Sequence, residues 1–251
     1  MGALRIAVIV PVHNESVFLR PLIRHYEPEA DAIFVLDNES DDGSTEGLSK
    51  DHPKVVVSSH PTGGEFSTQW KTDALHGKKA ECAGKYDYVL IVDADEFVVP
   101  KQGTIRDTIE RTERQDLYST DGWNIFQYPW DAPYDPARPI LSQRKCGLPN
   151  AWYSKPIIVR PEFDAQYSYG CHYILNHQDP KLKDPALAHF WLFHLKFFDD
   201  RHYLERLKRI QKRSANDAYR LFRGISEDQF VAQLEYERSA GKAVGIVPEH
   251  L

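Results

Sequence analysis

The chain is poor in sulfur: its 251 residues include one methionine and three cysteines. Cys82, Cys146 and Cys171 are far apart, odd in number and form no Cys-x-x-Cys pair, which excludes a disulfide framework or a zinc knuckle. An excess of positive charge is missing as well. Thirty-one Lys and Arg face 37 Asp and Glu, a net of −6, whereas broad nucleic-acid binding needs a basic face. Nor is there a long apolar run. The longest near the N-terminus, Ile6 to Val12, is interrupted by Pro11, is too short to span a membrane and is followed by no cleavable signal. The expectation is a soluble, cytoplasmic protein. What is present suffices for a packed core. Hydrophobic residues make up 41% of the chain, aromatic ones 12% and charged ones 27%. A length like this buries roughly 75% of the unfolded surface on folding.

The first hundred residues alternate strand and helix patterns. Arg5 to Val10 is an apolar, β-branched run closed by Pro11, which suits a strand buried on both faces. Phe18, Leu19, Leu22, Ile23 and Tyr26 then recur at helical spacing, with Asn14 or Ser16 as cap and Pro28 as stop. Ala32 to Leu36 predicts a second strand, running into the polar stretch Asp37 to Ser44, and Val55 to Ser58 a weaker third. A helix is expected over Ser67 to Cys82, after Gly63-Gly64, and a fourth strand over Tyr86 to Val92. This order predicts an α/β domain with a mainly parallel sheet, in which ligands bind beyond the carboxyl ends of the strands. Three polar clusters fall at those ends: His13-Asn14-Glu15, Asp37 to Asp42, and Asp93 to Glu96.

The second half changes character. Residues 117–175 are rich in Trp, Tyr, Pro and Gly and predict irregular strands and loops packed on the first half. Helices are expected over 199–223, with Tyr203, Leu207, Ile210, Ala218 and Leu221 or Phe222 along one face, and over 226–238. No repeat, low-complexity linker or clean domain boundary is visible.

Asp93 and Asp95 stand two apart at a strand end, so an extended backbone would put both carboxylates on one face. Two carboxylates side by side make a hard oxygen site for Mg²⁺ or Mn²⁺. Such an ion keeps positions open for substrate phosphates and offsets charge on a diphosphate leaving group. Asp-x-Asp alone is a common tripeptide; its place after an apolar strand is what gives it weight.

Taken together, Val8-Ile9-Val10-Pro11-Val12-His13-Asn14-Glu15, Val35 to Ser44 and Asp93-Ala94-Asp95-Glu96-Phe97 resemble, in order and spacing, three motifs of family 2 glycosyltransferases. The resemblance covers the first hundred residues. It implies a GT-A fold: a Rossmann-like, mainly parallel central sheet flanked by helices, an irregular acceptor-side region and C-terminal helices. It also implies a nucleotide-sugar donor (UDP-, GDP- or dTDP-linked) and a Mn²⁺ or Mg²⁺ ion. Carried over by position, Pro11, His13 and Glu15 would line the nucleoside pocket, and Asp37 and Asn38 would contact base and ribose. Many members have aspartate where Asn38 stands, and an amide both donates and accepts, which leaves the base open. Asx residues also cap turns, so Asp37 and Asn38 have that plainer reading too. Asp93 would sit near ribose and metal, and Asp95 would ligate the metal. On this reading 1–251 is a single transferase domain. Residues 1–100 would bind the nucleotide sugar, 101–198 would form the acceptor side and 199–251 a helical segment.

In GT-A enzymes a late histidine often completes the metal site. His194 in Phe193-His194-Leu195 is the candidate here, with His189 its competitor; a half-buried histidine among aromatic neighbours is the plainer reading. An imidazole beside two carboxylates would favour Mn²⁺. Lys71, Lys155 and Arg160 could approach a diphosphate, although each reads first as a solvated surface charge. Inverting transfer needs a base for the acceptor hydroxyl, within about 3 Å of it. The usual Glu-Asp of the family is missing before Glu227-Asp228, which leaves Asp121, Asp131, Asp164 and His172. Trp123, Trp130 and Trp152 offer faces on which a pyranose could stack, or serve only as core aromatics.

Residues 201–223 carry eight basic side chains against two acidic ones, a net of +6 that leaves −12 elsewhere. A solvated face opposite the apolar stripe is the plainer reading, and an approach surface for a membrane or acidic polymer the sharper one. The expected function is metal-dependent, inverting sugar transfer to a hydroxyl of a glycan or glycolipid. A sugar nucleotidyltransferase would want a Gly-rich basic loop after the first strand, which His13-Asn14-Glu15 is not. A non-catalytic nucleotide-sugar or glycan-binding protein is the third reading, since no base is obvious.

Overall fold

A computed structural model of the chain describes residues 2–64, 68–177, 179–184, 186–213, 226–240 and 244–245. The first half builds a sheet from β1 (Ile6–Val12), β2 (Ala32–Asp37), β3 (Val55–Ser59) and β4 (Tyr88–Ile91). Between them run α1 (Leu19–Tyr26), the short α2 (Leu48–Asp51) and α3 (Thr68–Cys82). The strands pair in parallel in the order β3-β2-β1-β4, with Val8 opposite Ile33 and Ile9 opposite Ile91. Helices cover such a sheet, so β1 is buried along its whole apolar run, as its unbroken hydrophobicity requires.

After β4 the chain leaves this sheet. Asp93-Ala94-Asp95 is a turn, closed by the Glu96 amide donating to the Asp93 carbonyl at 3.0 Å, and not the extended segment expected from the sequence. Glu96 then opens β5 (Glu96–Pro100), followed by α4 (Ile105–Arg111), whose Thr104 and Asp107 form a reciprocal capping box. Neither element was legible as such. The region 117–175 holds β6 (Leu117–Tyr118), β7 (Thr120–Phe126), β8 (Cys146–Pro149) and β9 (Ile158–Val159) amid 3-10 turns, in keeping with short, irregular strands. β9 extends the first sheet antiparallel to β4, and β6 pairs antiparallel with β9 at its edge.

A second sheet has the order β11-β8-β7-β10-β5, where β10 is Phe190–Phe197 and β11 is Val244–Gly245. β10 runs parallel to β7 and antiparallel to β5, in a register that aligns Glu96, His194 and Asn124 across three neighbouring strands. Helix α5 (Asp200–Arg213) packs Tyr203 and Leu207 into a small cluster with Phe126, Tyr128 and Phe197. The remainder of the expected 199–223 helix, including Ala218 and Leu221, lies outside the described residues. Helix α6 spans Glu227–Ala240. Among the described residues no helix is long and apolar enough to cross a membrane.

Candidate active site

The turn between β4 and β5 joins the two sheets, and this position gathers charge. Asp93 and Asp95 stand on it, Glu96 follows, and Glu15 arrives from the end of β1. All but Asp93 are buried. Carboxylates out of water need cations, and three come from distant elements. Lys71 on α3 donates to Asp93 Oδ1. Lys155 Nζ lies 2.5 Å from Glu96 Oε1 and 3.9 Å from Asp93 Oδ2. Arg206 on α5 donates to Asp95 Oδ2 and reaches Glu15 Oε1 at 3.2 Å.

The cations decide the titration. Burial would raise Asp93, but Lys71 and Lys155 outweigh it and hold the carboxyl below its ordinary range. Burial is likewise overcome at Asp95, which Arg206 and His194 hold well below that range. Glu15 goes the other way: burial pushes it up to about 7 in spite of Arg206, and its Oε2 has no partner. Lys71 and Lys155 are therefore not the solvated charges the sequence suggested. Lys155 is 2% exposed and takes part in a buried ion pair, while Arg160 is the surface residue expected, near Asp116.

His194 Nε2 faces Asp95 Oδ2 at 3.4 Å, and its Nδ1 donates to Asn124 Oδ1 at 2.9 Å. Tyr153 stacks on its ring, with centroids 3.9 Å apart. The competitor His189 sits near the other end of β10, against Tyr118. Two carboxylates and an imidazole are a donor set that suits Mn²⁺ or Mg²⁺, and holding Nδ1 through an amide oxygen is how a metal-bound histidine is oriented. The residues thus fit the ion by type. Their present partners are internal cations, and among the described residues no three such groups are arranged to hold a metal jointly.

At the ends of β1 and β2 the polar clusters interlock. Asn14, at φ 56°, exchanges hydrogen bonds with Asp41 through its side chain, and its amide donates to Ser40. His13 Nδ1 donates to the Asn38 carbonyl at 2.8 Å. Asp37 accepts from the Ser40 amide and so caps the turn. Asn38 is buried; Thr62 donates to its Oδ1, and its Nδ2 has no partner. Half-buried Pro11 lies within β1, one residue before its end at Val12, so the strand runs past the proline that was expected to close it.

Of the base candidates, only His172 meets the cluster. Its Nδ1 donates to the Trp152 carbonyl at 2.8 Å, which leaves the lone pair on Nε2. Burial, then the charge of Lys155, lowers its pKa to about 3, so the ring is neutral. Asp131 instead accepts from the Tyr128 amide and faces Arg144. Asp164 is exposed and bonded to Asn176, and Asp121 pairs with Lys101. All three carboxylates serve local structure. Trp152 is 54% exposed beside His172, Trp130 stacks on Tyr128, and Trp123 is half-buried.

The model of the family described as glycosyl transferase family 2 matches residues 7–201. The chain belongs to glycosyl transferase family 2. Its architecture, a mainly parallel α/β sheet with the Asp-x-Asp turn at its edge, accords with that membership. Among solved structures, this family 2 transferase is similar to Staphylococcus aureus TarS 1-349 in complex with UDP, at 14% identity and a TM-score of 0.40, covering 95% of this chain and 74% of that one. It is also similar to Mycobacterium tuberculosis glucosyl-3-phosphoglycerate synthase in complex with Mn²⁺, UDP and phosphoglyceric acid. There the identity is 18% and the TM-score 0.33, over 48% of this chain and 43% of that one. No curated protein matches the chain.

Sequence reasoning missed Arg206, Asn124 and Tyr153, and it placed Glu96 in the third polar cluster without giving it a role. Arg206 lay in a run of basic residues read as solvated, and residues 214–223 of that run are outside the described residues. No local signal marks Asn124 or Tyr153; strand register brings one to His194 and a 3-10 turn the other.

Proposed function

We propose that this family 2 transferase moves a sugar from a nucleoside-diphosphate sugar (UDP-, GDP- or dTDP-linked) to a hydroxyl of a glycan or glycolipid, with inversion at the anomeric carbon. The observation that carries the reading is the convergence of Glu15, Asn38, Asp93, Asp95 and His194, with the cations Lys71, Lys155 and Arg206, on the carboxyl ends of β1, β2 and β4. His13, Glu15, Asp37 and Asn38 would surround the nucleoside. Lys71 and Lys155 would face the diphosphate. Asp93, Asp95 and His194 would hold a Mn²⁺ or Mg²⁺ ion, which neutralises charge on the leaving diphosphate when bound.

We assign the acceptor proton to His172 by its position. Burial and then the charge of Lys155 lower its proton affinity, and a diphosphate held by Lys155 would offset that charge and raise it. The acceptor oxygen attacks the anomeric carbon from the face opposite the diphosphate and forms the new C–O bond. Its proton passes to His172 Nε2, and the nucleoside diphosphate leaves with the electron pair of the broken bond. Exposed Trp152 beside His172 offers a face for the acceptor sugar.

The test is donor binding. With Mn²⁺ present, one of a panel of UDP-, GDP- and dTDP-sugars raises the melting temperature by mass action, and His172→Gln keeps that rise while slowing transfer about 10²- to 10⁴-fold. If no donor shifts melting with or without metal, the reading is wrong.

A further inference from the structure

We infer that Arg206 is an internal stand-in for the divalent ion: it holds Asp95 in the ion-free protein, sets the affinity at which the ion binds, and couples that binding to release of α5. The inference rests on the proposed reading of Asp95 as a metal ligand. Arg206 comes from 111 residues beyond Asp95 and donates to its Oδ2, the same oxygen that His194 Nε2 faces at 3.4 Å. A cation held jointly by Asp95 and His194 needs the space that the guanidinium fills. Two positive charges at one carboxylate oxygen repel strongly in a buried setting, so ion and guanidinium exclude each other. The second contact of Arg206, to Glu15 Oε1 at 3.2 Å, ties the same side chain to the end of β1, beside the nucleoside pocket.

The helix that carries Arg206 touches the main core at its first turn, where His202 stands edge-on to Phe18. Tyr203 and Leu207 sit in a satellite cluster of five buried residues, apart from the main core. At its start the Asp200 amide donates to Gln127 and the His202 amide to Asp199. Lys71 engages Asp93 from α3, but that helix packs Leu75 and Cys82 into the main core, and its lysine can turn away without moving the helix. Arg206 is therefore the cation whose displacement is felt along α5.

Two arms test this on the full chain, with Mn²⁺ as the probe and no donor present. Free Mn²⁺ is followed by electron paramagnetic resonance in the unmodified protein and in Arg206→Gln, Arg206→Lys and Asp95→Asn. Arg206→Gln is expected to bind Mn²⁺ at least about tenfold more tightly, the worth of one charge-assisted hydrogen bond, with Arg206→Lys close to the unmodified protein. Equal or weaker binding by Arg206→Gln overturns the inference. In the second arm, which needs no variant, Mn²⁺ is expected to speed hydrogen exchange of the α5 amides over 200–213. Unchanged or slower exchange also overturns it. Failure of the underlying metal reading looks different: Asp95→Asn then binds Mn²⁺ as well as the unmodified protein, or neither binds it.

Discussion

Substituting Gly122 by alanine puts a methyl group where there is no room for one. A Cβ built there meets the Tyr153 carbonyl carbon at 2.2 Å, its oxygen at 2.5 Å and the Ser154 nitrogen at 2.6 Å. Ordinary contact begins at 3.4 Å, so β7 and the 151–155 segment must part by about 1 Å. All three obstacles are backbone, which no rotamer change can move aside. The segment is also clamped to β7: Thr120 exchanges hydrogen bonds with Lys155, the Gly122 amide donates to Ser154 Oγ, and the Asn150 amide donates to the Gly122 carbonyl. Overpacking of this kind costs about 1–3 kcal/mol. For a chain of this size that lowers the melting temperature by about 2–4 °C per kcal/mol. The functional effect should be larger, because the displaced segment carries Tyr153, stacked on His194, and Lys155, paired with Glu96. A misplacement of about 1 Å in a catalytic site can cost on the order of 100-fold in rate. The assay is calorimetric melting alongside sugar transfer. Gly122→Ala with unchanged melting and unchanged transfer would show that the wall between β7 and the 151–155 segment is not built as described.

Further outcomes follow from the same geometry. Lys155→Met strands the buried Glu96 carboxylate and should cost about 3–5 kcal/mol in urea unfolding; a loss under about 1 kcal/mol would mean the pair is open to water. Asp95→Asn should remove the metal-dependent rise in melting temperature on donor binding, and full retention would take Asp95 out of the metal site. His202 is buried, and that burial, then Arg206 and Arg209, lowers its pKa from 6.5 to about 4. The unfolded chain therefore takes up a proton below pH 6.5 that the fold refuses until about pH 4. Stability falls with pH across that window, by about 2 kcal/mol between pH 8 and pH 5 for this residue. His202→Gln should flatten that slope in unfolding titrations, and an unchanged slope would assign the acid sensitivity elsewhere.

Much of the first half was readable because its signals are local. A run such as Ile6 to Val10 can satisfy its backbone and its apolar side chains together only inside a covered sheet. Three of its strand ends carry polar clusters because that edge is where a parallel sheet leaves space for a ligand. β5 and α4 escaped notice for opposite reasons: Phe97-Val98-Val99 is too short a run to tell from a strand's tail, and α4 declares itself mainly through the Thr104–Asp107 cap. The second sheet was illegible because β7, β8 and β10 acquire their partners over separations of tens of residues.

Hydrophobic periodicity and strand-end chemistry act over a few residues, so the class of fold and the carboxylates at the carboxyl ends of the strands could be read along the chain. Which cation answers which carboxylate is settled in three dimensions. Lys71, Lys155 and Arg206 come from a helix, a loop and a second helix that sequence order keeps apart, and a charge is drawn to its partner through space, not along the chain.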